Sequence, residues 1–331
     1  KKKFNEYNFV NLDEVSSLVF DLGTFNTRIG YSGEDSPTCV FQPVVGISSD
    51  DKYFYSENDI RYFREDMKIL NYMEKDGTIK DYDLFEKMLD NLLEFTLHID
   101  LKEHPILFVE PSLHNKEYRK KIAKCLFEKY NIPALFICKS AVLSAFSCGK
   151  SNCLIFDSGH LNTYAVPIHD GYALQKCLIK SNIAGDYITQ LVKEKLESKK
   201  IEVLPFFRIR KKRKYEGKFI PDYMRDLKAD ESNEQFWKNE IYRDIKENCL
   251  VSCDDAIPYN IETDSFNVTS MAQPITYDLP DGNTVELSED RMLLIERAFN
   301  RSKTEPGFFG YHKNRNKIFF LMFFSFLIEI I

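Results

Sequence analysis

Residues 18–27 read LVFDLGTFNT, and residues 154–163 read LIFDSGHLNT. Six of the ten positions are identical, and the second exchanges Val for Ile. Each copy is a short apolar run ending in Asp, then a turn containing Gly, then a second run rich in β-forming residues (TRIGYSG at 27–33, TYAVPIHDGYAL at 163–174). The pattern predicts strand, tight turn, strand in both places. For one copy alone, Asp and Gly as ordinary hairpin-turn residues would be explanation enough. Two matching copies point instead to a duplicated pair of hairpins, one in each of two lobes, facing each other across a cleft. Successive backbone N–H groups in such turns make an anion-binding concavity. Gly23 and Gly159 would let the backbone approach phosphate oxygens. Asp21 and Asp157, at the ends of their first strands, suit Mg²⁺, which takes one or two carboxylates and completes its shell with phosphate and water. The chemistry implied is nucleoside-triphosphate binding between two lobes. Neither a GxxxxGK[ST] loop nor a GxGxxG fingerprint occurs in the chain.

The bulk properties agree with a two-lobed protein. A chain of 331 residues exceeds what a single hydrophobic core usually serves. Its 44% apolar and 29% charged residues are those of an ordinary globular chain. A net charge of −6 argues against a surface that binds nucleic acid or anionic membrane as a whole. The eight cysteines form no CxxC pair and the six histidines are scattered, which argues against a zinc site and for reduced, mostly buried thiols. The N-terminal stretch KKKFNEYNFVNLDEV has no apolar core of the kind a signal peptide needs.

The paired phrases resemble the two phosphate motifs of the actin, Hsp70 and sugar-kinase superfamily. Longer stretches narrow the resemblance to actins: RIGYSGEDSPTCVFQPVVG (28–46), HPILFVEPSLHNKEYRKKIAKCLFEKYNIPALF (104–136), VPIHDGYAL (166–174) and YDLPDGNTVELSEDRMLLIERAF (277–299), all in actin order. YNIPALFICKSAVLSAFSCGKS and HDGYALQKCLIKSNIAGDYIT look most like the nuclear actin-related protein 4 (actin-like 6) group. The similarity covers roughly residues 15–313.

The resemblance implies an α/β, actin-like (ribonuclease-H-like) fold of two lobes with mixed sheets and a nucleotide cleft between them. It implies that Asp21, Gly23 and Thr24 belong to the first phosphate loop, with Arg28 where actins carry a phosphate-contacting lysine. Arg keeps the charge but is planar and larger, so the contact geometry differs. Asp157, Ser158 and Gly159 open the second phosphate loop, Gly185 matches a ribose-side glycine, and Lys246 with Glu247 matches the pair bracketing adenine. Without the surrounding match, that last pair also reads as a solvated helix face. ATP and Mg²⁺ are the implied ligands, with Asp21 and Asp157 on the metal.

Departures from the family bear on activity. Ser140 stands where actins use a glutamine to orient the attacking water, and Tyr164 where a histidine supports it. Phe25, His160 and Leu161 occupy positions that are Gly, Asp and Gly in actin, and such side chains crowd the γ-phosphate. Phosphoryl transfer depends on positioning, so slow or absent hydrolysis is expected. No enzymatic role is expected, residual ATPase apart.

The expected organisation is an N-terminal tail (1–14), a first-lobe base (15–46 and 77–147), a small outer subdomain (47–76), the start of the second-lobe base (148–185), its outer subdomain (186–306) and a divergent tail (307–331). An amphipathic helix is expected over 115–130 with Ile122, Leu126 and Tyr130 on one face, and a further helix starting at Pro133 and carrying Ser140. The basic run RKKRK (210–214) reads as a solvated surface loop, an import patch or a nucleic-acid-facing loop, with import favoured. After residue 313 the resemblance stops, and the apolar run 318–328 ends at Glu329, too short for a membrane-spanning helix. The tail reads as a truncated or mis-spliced product ahead of a packed terminal segment or a membrane device.

Three functions follow. The favoured one is an actin-related scaffold subunit of nuclear chromatin-remodelling or histone-acetyltransferase complexes, a chromatin and transcription regulator that binds ATP structurally. Its partners would be actin and a helical helicase-SANT-associated segment of a larger subunit, near chromatin or DNA, in the nucleus and to some extent the cytoplasm, with no membrane. The alternatives are a cytoskeletal actin-like filament protein and an active ATPase or phosphotransferase of the same superfamily.

Overall fold

A computed structural model describes residues 16–113, 116–215, 218–252, 259–260, 265–266 and 273–299. Backbone contacts divide the chain into two compact units, one holding residues up to 180 with 228–233, the other 181–227 and 234 onward.

In the first unit, β1 (Leu18–Leu22), β2 (Thr27–Tyr31) and β3 (Cys39–Phe41) follow one another as an antiparallel meander. β4 (Val44–Ile47), β5 (Tyr53–Phe54) and β6 (Lys68–Asn71) form a separate sheet in the order β5-β4-β6, with the short helix α1 (Glu57–Arg61) capped by Ser56 between β5 and β6. After α2 (Tyr82–Leu92), β7 (Ile106–Glu110) enters the first sheet parallel to β1. Helix α3 (Lys116–Lys124) precedes β8 (Leu135–Lys139), which adds parallel to β7. The result is the order β3-β2-β1-β7-β8, a mixed sheet. Helix α4 (Ser140–Ser147) then leads to a second sheet of β9 (Cys153–Ser158), β10 (Thr163–His169), β11 (Tyr172–Ala173) and β12 (Ile179–Ser181).

The pleat explains β1. Alternate residues face one side, and Leu18, Phe20 and Leu22 are the sealed ones, at 0%, 0% and 6% exposure. Helix α2 begins at Asp81, whose carboxylate accepts from the Leu84 amide at 2.9 Å, satisfying one of the unpaired donors of the first turn. It buries Leu84, Phe85, Met88, Leu89 and Leu92, one stripe at helical spacing. These pack with Leu18, Phe20, Phe108, Ile122 and Leu126 into the main core of this unit.

The helix expected over 115–130 is α3 continued by a π-helical turn at Cys125–Lys129, and Ile122, Leu126 and Tyr130 are buried together as its pattern required. The expectation that Pro133 starts a helix is wrong. The segment after it, LFICK, is a strand, because it completes a parallel ladder from Ile106↔Leu135 to Glu110↔Lys139. Tertiary pairing overrides the local helix signal, and the helix begins at Ser140 itself.

The second unit contains α5 (Gly185–Ser198), the hairpin β13 (Ile209–Tyr215) with β14 (Lys218–Tyr223), helix α6 (Glu231–Cys249) from its fourth residue on, the short pair β15 (Tyr259–Asn260) with β16 (Ser265–Phe266), the hairpin β17 (Ile275–Asp278) with β18 (Thr284–Leu287), and α7 (Asp290–Phe299). Its core joins Leu191, Leu196, Tyr242, Ile245, Val285, Leu287 and Leu294. Asp290 ties α7 to α5 by accepting ion pairs from Lys195 at 2.7 Å and Lys199 at 2.9 Å. The basic run 210–214 is not a loop: Lys211–Lys214 pair antiparallel with 219–222, after a shift of register between Ile209 and Lys211. Charge alone does not tell a strand from a loop, which is why the run read as one. No described helix is long and apolar enough to cross a membrane. The N-terminal tail (1–14) and the divergent tail (307–331) lie outside the described residues.

Candidate nucleotide-phosphate site

Both ten-residue phrases fold as hairpins of the same construction. In the first, Leu22 pairs with Thr27 and the Gly23 amide donates to the Asn26 carbonyl at 3.1 Å. In the second, Ser158 pairs with Thr163 and the Gly159 amide donates to the Asn162 carbonyl at 2.9 Å. The glycine amides therefore close the turns. At Gly23 a Cβ would meet the Asn26 carbonyl oxygen at 2.5 Å, so the close approach of backbone to backbone demands glycine there. The two hairpins stand in separate sheets of the first unit.

Asp21 lies directly opposite Arg28 in the ladder, and the guanidinium donates to its carboxylate at 3.3 Å. Burial pushes the Asp21 carboxyl above its ordinary value, while Arg28 opposes the shift by charge and hydrogen bond. Its side chain is nonetheless 41% exposed, a recessed group that solvent still reaches. Asp157 faces Tyr164 instead. Burial raises its pKa, and the charge of Asp21 raises it further. Asp157 thus feels the charge of Asp21, which holds the equivalent place in the other hairpin. Two carboxylates suit Mg²⁺, which completes its shell with phosphate and water. Among the described residues no group of three or more His, Cys, Asp or Glu could hold a metal ion by itself.

Thr24 lies within the first loop, between Gly23 and Phe25. The Ser158 and Thr163 hydroxyls hydrogen-bond at 2.9 Å across the base of the second loop. Asn162 donates from Nδ2 to the Lys75 carbonyl at 2.6 Å, fixing that loop to the chain before α2. The Tyr164 hydroxyl, donating to the Asp76 carbonyl at 3.5 Å, reaches the same segment. Burial pushes that phenol up to about 12, so it stays protonated at neutral pH. Ser140, the first residue of α4, has its hydroxyl 3.1 Å from that of Ser112. Beside them Glu110, fully buried, is held by Arg119 and by Lys139 at 3.7 Å.

Gly185, Lys246 and Glu247 belong to the second unit. Gly185 begins α5, and its carbonyl accepts from Lys246 Nζ at 3.2 Å. Burial lowers the Lys246 pKa. Glu247 is taken up by Arg243 one helical turn back, at 3.0 and 3.1 Å, an ordinary i,i+4 pair on a helix face. The structure therefore joins Gly185 with Lys246 and turns Glu247 to Arg243.

Four contributors went unnoticed in the sequence: Asn26 and Asn162, which close the turns, and Thr27 and Thr163, buried to 0% and 2%. A signal was present, since NT ends both phrases. A further contact was not legible at all: the rings of Phe25 and His160, one from each loop, lie with centroids 5.0 Å apart at 44°.

Comparison with known proteins gives this chain a family. The actin family model matches residues 12–312, and the chain belongs to the actin family. Within it, the chain is 34% identical to "Actin-related protein 4" of Arabidopsis thaliana over 335 residues, covering 90% of this chain and 73% of that protein. It is 32% identical over 338 residues to "Actin-related protein 4" of Oryza sativa subsp. indica, covering 90% and 74%. It is also 28% identical over 310 residues to "SWI/SNF and RSC complexes subunit arp42" of Schizosaccharomyces pombe, covering 88% and 71%.

Proposed function

We propose that this chain is an actin-related scaffold subunit of nuclear chromatin-remodelling or histone-acetyltransferase assemblies, holding Mg-ATP as a structural ligand with little or no hydrolysis. The observation that carries the nucleotide part is the pair of identically closed hairpins bearing Asp21 and Asp157. Asp21, Gly23, Thr24, Arg28, Asp157, Ser158 and Gly159 would serve the phosphates and metal, and Gly185 with Lys246 and Glu247 the nucleoside. The scaffold part draws on the names of the relatives, one of which is a subunit of SWI/SNF and RSC complexes. Ser140, short and paired with Ser112, has no amide with which to orient water, in keeping with lost turnover. Bound nucleotide would then stabilise the fold by mass action. Actin and a helical segment of a larger subunit are the expected partners, an amphipathic helix in an apolar groove being the recurring mode.

The test is purification of the tagged protein from nuclear extract, with identification of its companions and calorimetry against Mg-ATP. Recovery of actin with a remodelling or acetyltransferase subunit, and ATP binding without steady phosphate release, is the expected result. Recovery of cytoplasmic filaments alone, or actin-like turnover, overturns it.

A further inference from the structure

We propose that the ring pair of Phe25 and His160 sets the number of phosphates the cradle accepts, favouring a nucleoside diphosphate over the triphosphate. This rests on the reading that the two hairpin loops hold a nucleotide, and it refines which nucleotide is held best.

The loops are Gly23–Asn26 and Gly159–Asn162, each closed by its glycine amide. Phe25 and His160 sit inside these loops, while Asp21 and Asp157 stand lower, on the strands that lead into them. A phosphate chain lying between the hairpins would meet the carboxylates and their metal near the strand ends. Its distal group would meet the loop tips. There the two rings already touch, with centroids 5.0 Å apart, within the range of favourable aromatic pairs. A third phosphate would have to part them or stay out.

Parting them is resisted from below. The closing bonds of 3.1 and 2.9 Å fix each turn. Thr27 and Thr163 are buried at the loop bases, and Asn162 is tied to the Lys75 carbonyl at 2.6 Å. The loops therefore open less readily than unanchored hairpin tips would. Charge acts in the same direction. Asp21 and Asp157 place two carboxylates on the strands below the loops, and a γ-phosphate brings further negative charge close to them. Arg28, committed to Asp21 at 3.3 Å, offsets one of the two carboxylates.

The test is calorimetry on the full chain with Mg-ADP and Mg-ATP, for the wild type, Phe25→Gly and His160→Ala, each checked for folding by circular dichroism. The wild type is expected to bind ADP about tenfold more tightly than ATP, a difference of about 1.4 kcal/mol. Either substitution is expected to tighten ATP by about tenfold while leaving ADP within about twofold. His160→Ala alone decides the matter if Phe25→Gly fails to fold. Equal affinities of the wild type for both nucleotides overturn the inference while leaving the nucleotide reading intact. A His160→Ala protein that binds ATP more weakly does the same, because the imidazole would then be a phosphate donor. Failure of the wild type to bind either nucleotide overturns the nucleotide reading and this inference with it.

Discussion

Phe20 and Phe156 hold the same place in two copies of one phrase, yet Phe20 is sealed and Phe156 is 39% exposed. The local fold is the same: strand, four-residue loop, strand, with a glycine amide closing the turn. What differs is the company. β1 is central, paired with β2 on one side and β7 on the other, and its inner face packs on α2 and the turn after α3. β9 pairs only with β10 among the described residues. A ten-residue phrase therefore encodes the hairpin, and the surrounding chain decides how much free energy the hairpin contributes.

The sharpest way to break that comparison is to truncate both phenylalanines. Phe20→Ala should cost about 3–5 kcal/mol, the range for a fully buried aromatic. Phe156→Ala should cost about 1 kcal/mol or less, as for partly exposed positions. Urea unfolding would measure both, and equal losses would refute the difference in burial.

A smaller effect separates the glycines. At Gly23 an added Cβ meets the Asn26 carbonyl oxygen at 2.5 Å, whereas at Gly159 the matching contact is 3.4 Å. Gly23→Ala should cost about 1–3 kcal/mol through forced backbone adjustment. Gly159→Ala should stay within about 0.5 kcal/mol. Thermal unfolding of the two variants side by side would show a clear drop for one and almost none for the other.

The smallest effect lies in the carboxylates. The folded protein holds a proton on Asp157 more tightly than the unfolded chain does, because of burial and the neighbouring Asp21 charge. The stability linked to that proton is present at acid pH, below the ordinary Asp value, and is lost as pH rises through the raised one. Asp157→Asn, neutral throughout, should therefore raise the melting temperature slightly at pH 7 without nucleotide. The gain should vanish as pH falls below about 4. Asp21→Asn should gain less, since it also removes the partner of Arg28. A larger gain at Asp21 than at Asp157 would contradict this ordering.

Much of this was legible because it is written locally. The Asp–Gly turns, the stripe of Ile122, Leu126 and Tyr130, and the paired carboxylates all follow from short-range pattern, and the family resemblance gave the mixed sheet. Failures came where long-range pairing decided. Pro133 signals a helix start, but LFICK was claimed by the ladder with β7. The basic run at 210–214 looked like a loop because charge is blind to a cross-strand partner. The contact of Phe25 with His160 joins residues far apart in the chain and carries no periodic signature. The Glu247 role implied by resemblance competes with an i,i+4 partner, Arg243, that the sequence already displayed.

The open side of β9 has a consequence for how this protein behaves in a test tube. Along Cys153–Ser158, the side away from β10 has no strand partner among the described residues. A strand edge with no second strand partner among the described residues, beside a Phe156 that is 39% exposed, is a template for sheet extension. Solubility at high concentration is therefore expected to depend on what caps this strand, whether from the same molecule or from an assembly partner. A charged substitution at Phe156 should reduce light scattering in concentrated samples more than the same charge placed at an exposed position elsewhere.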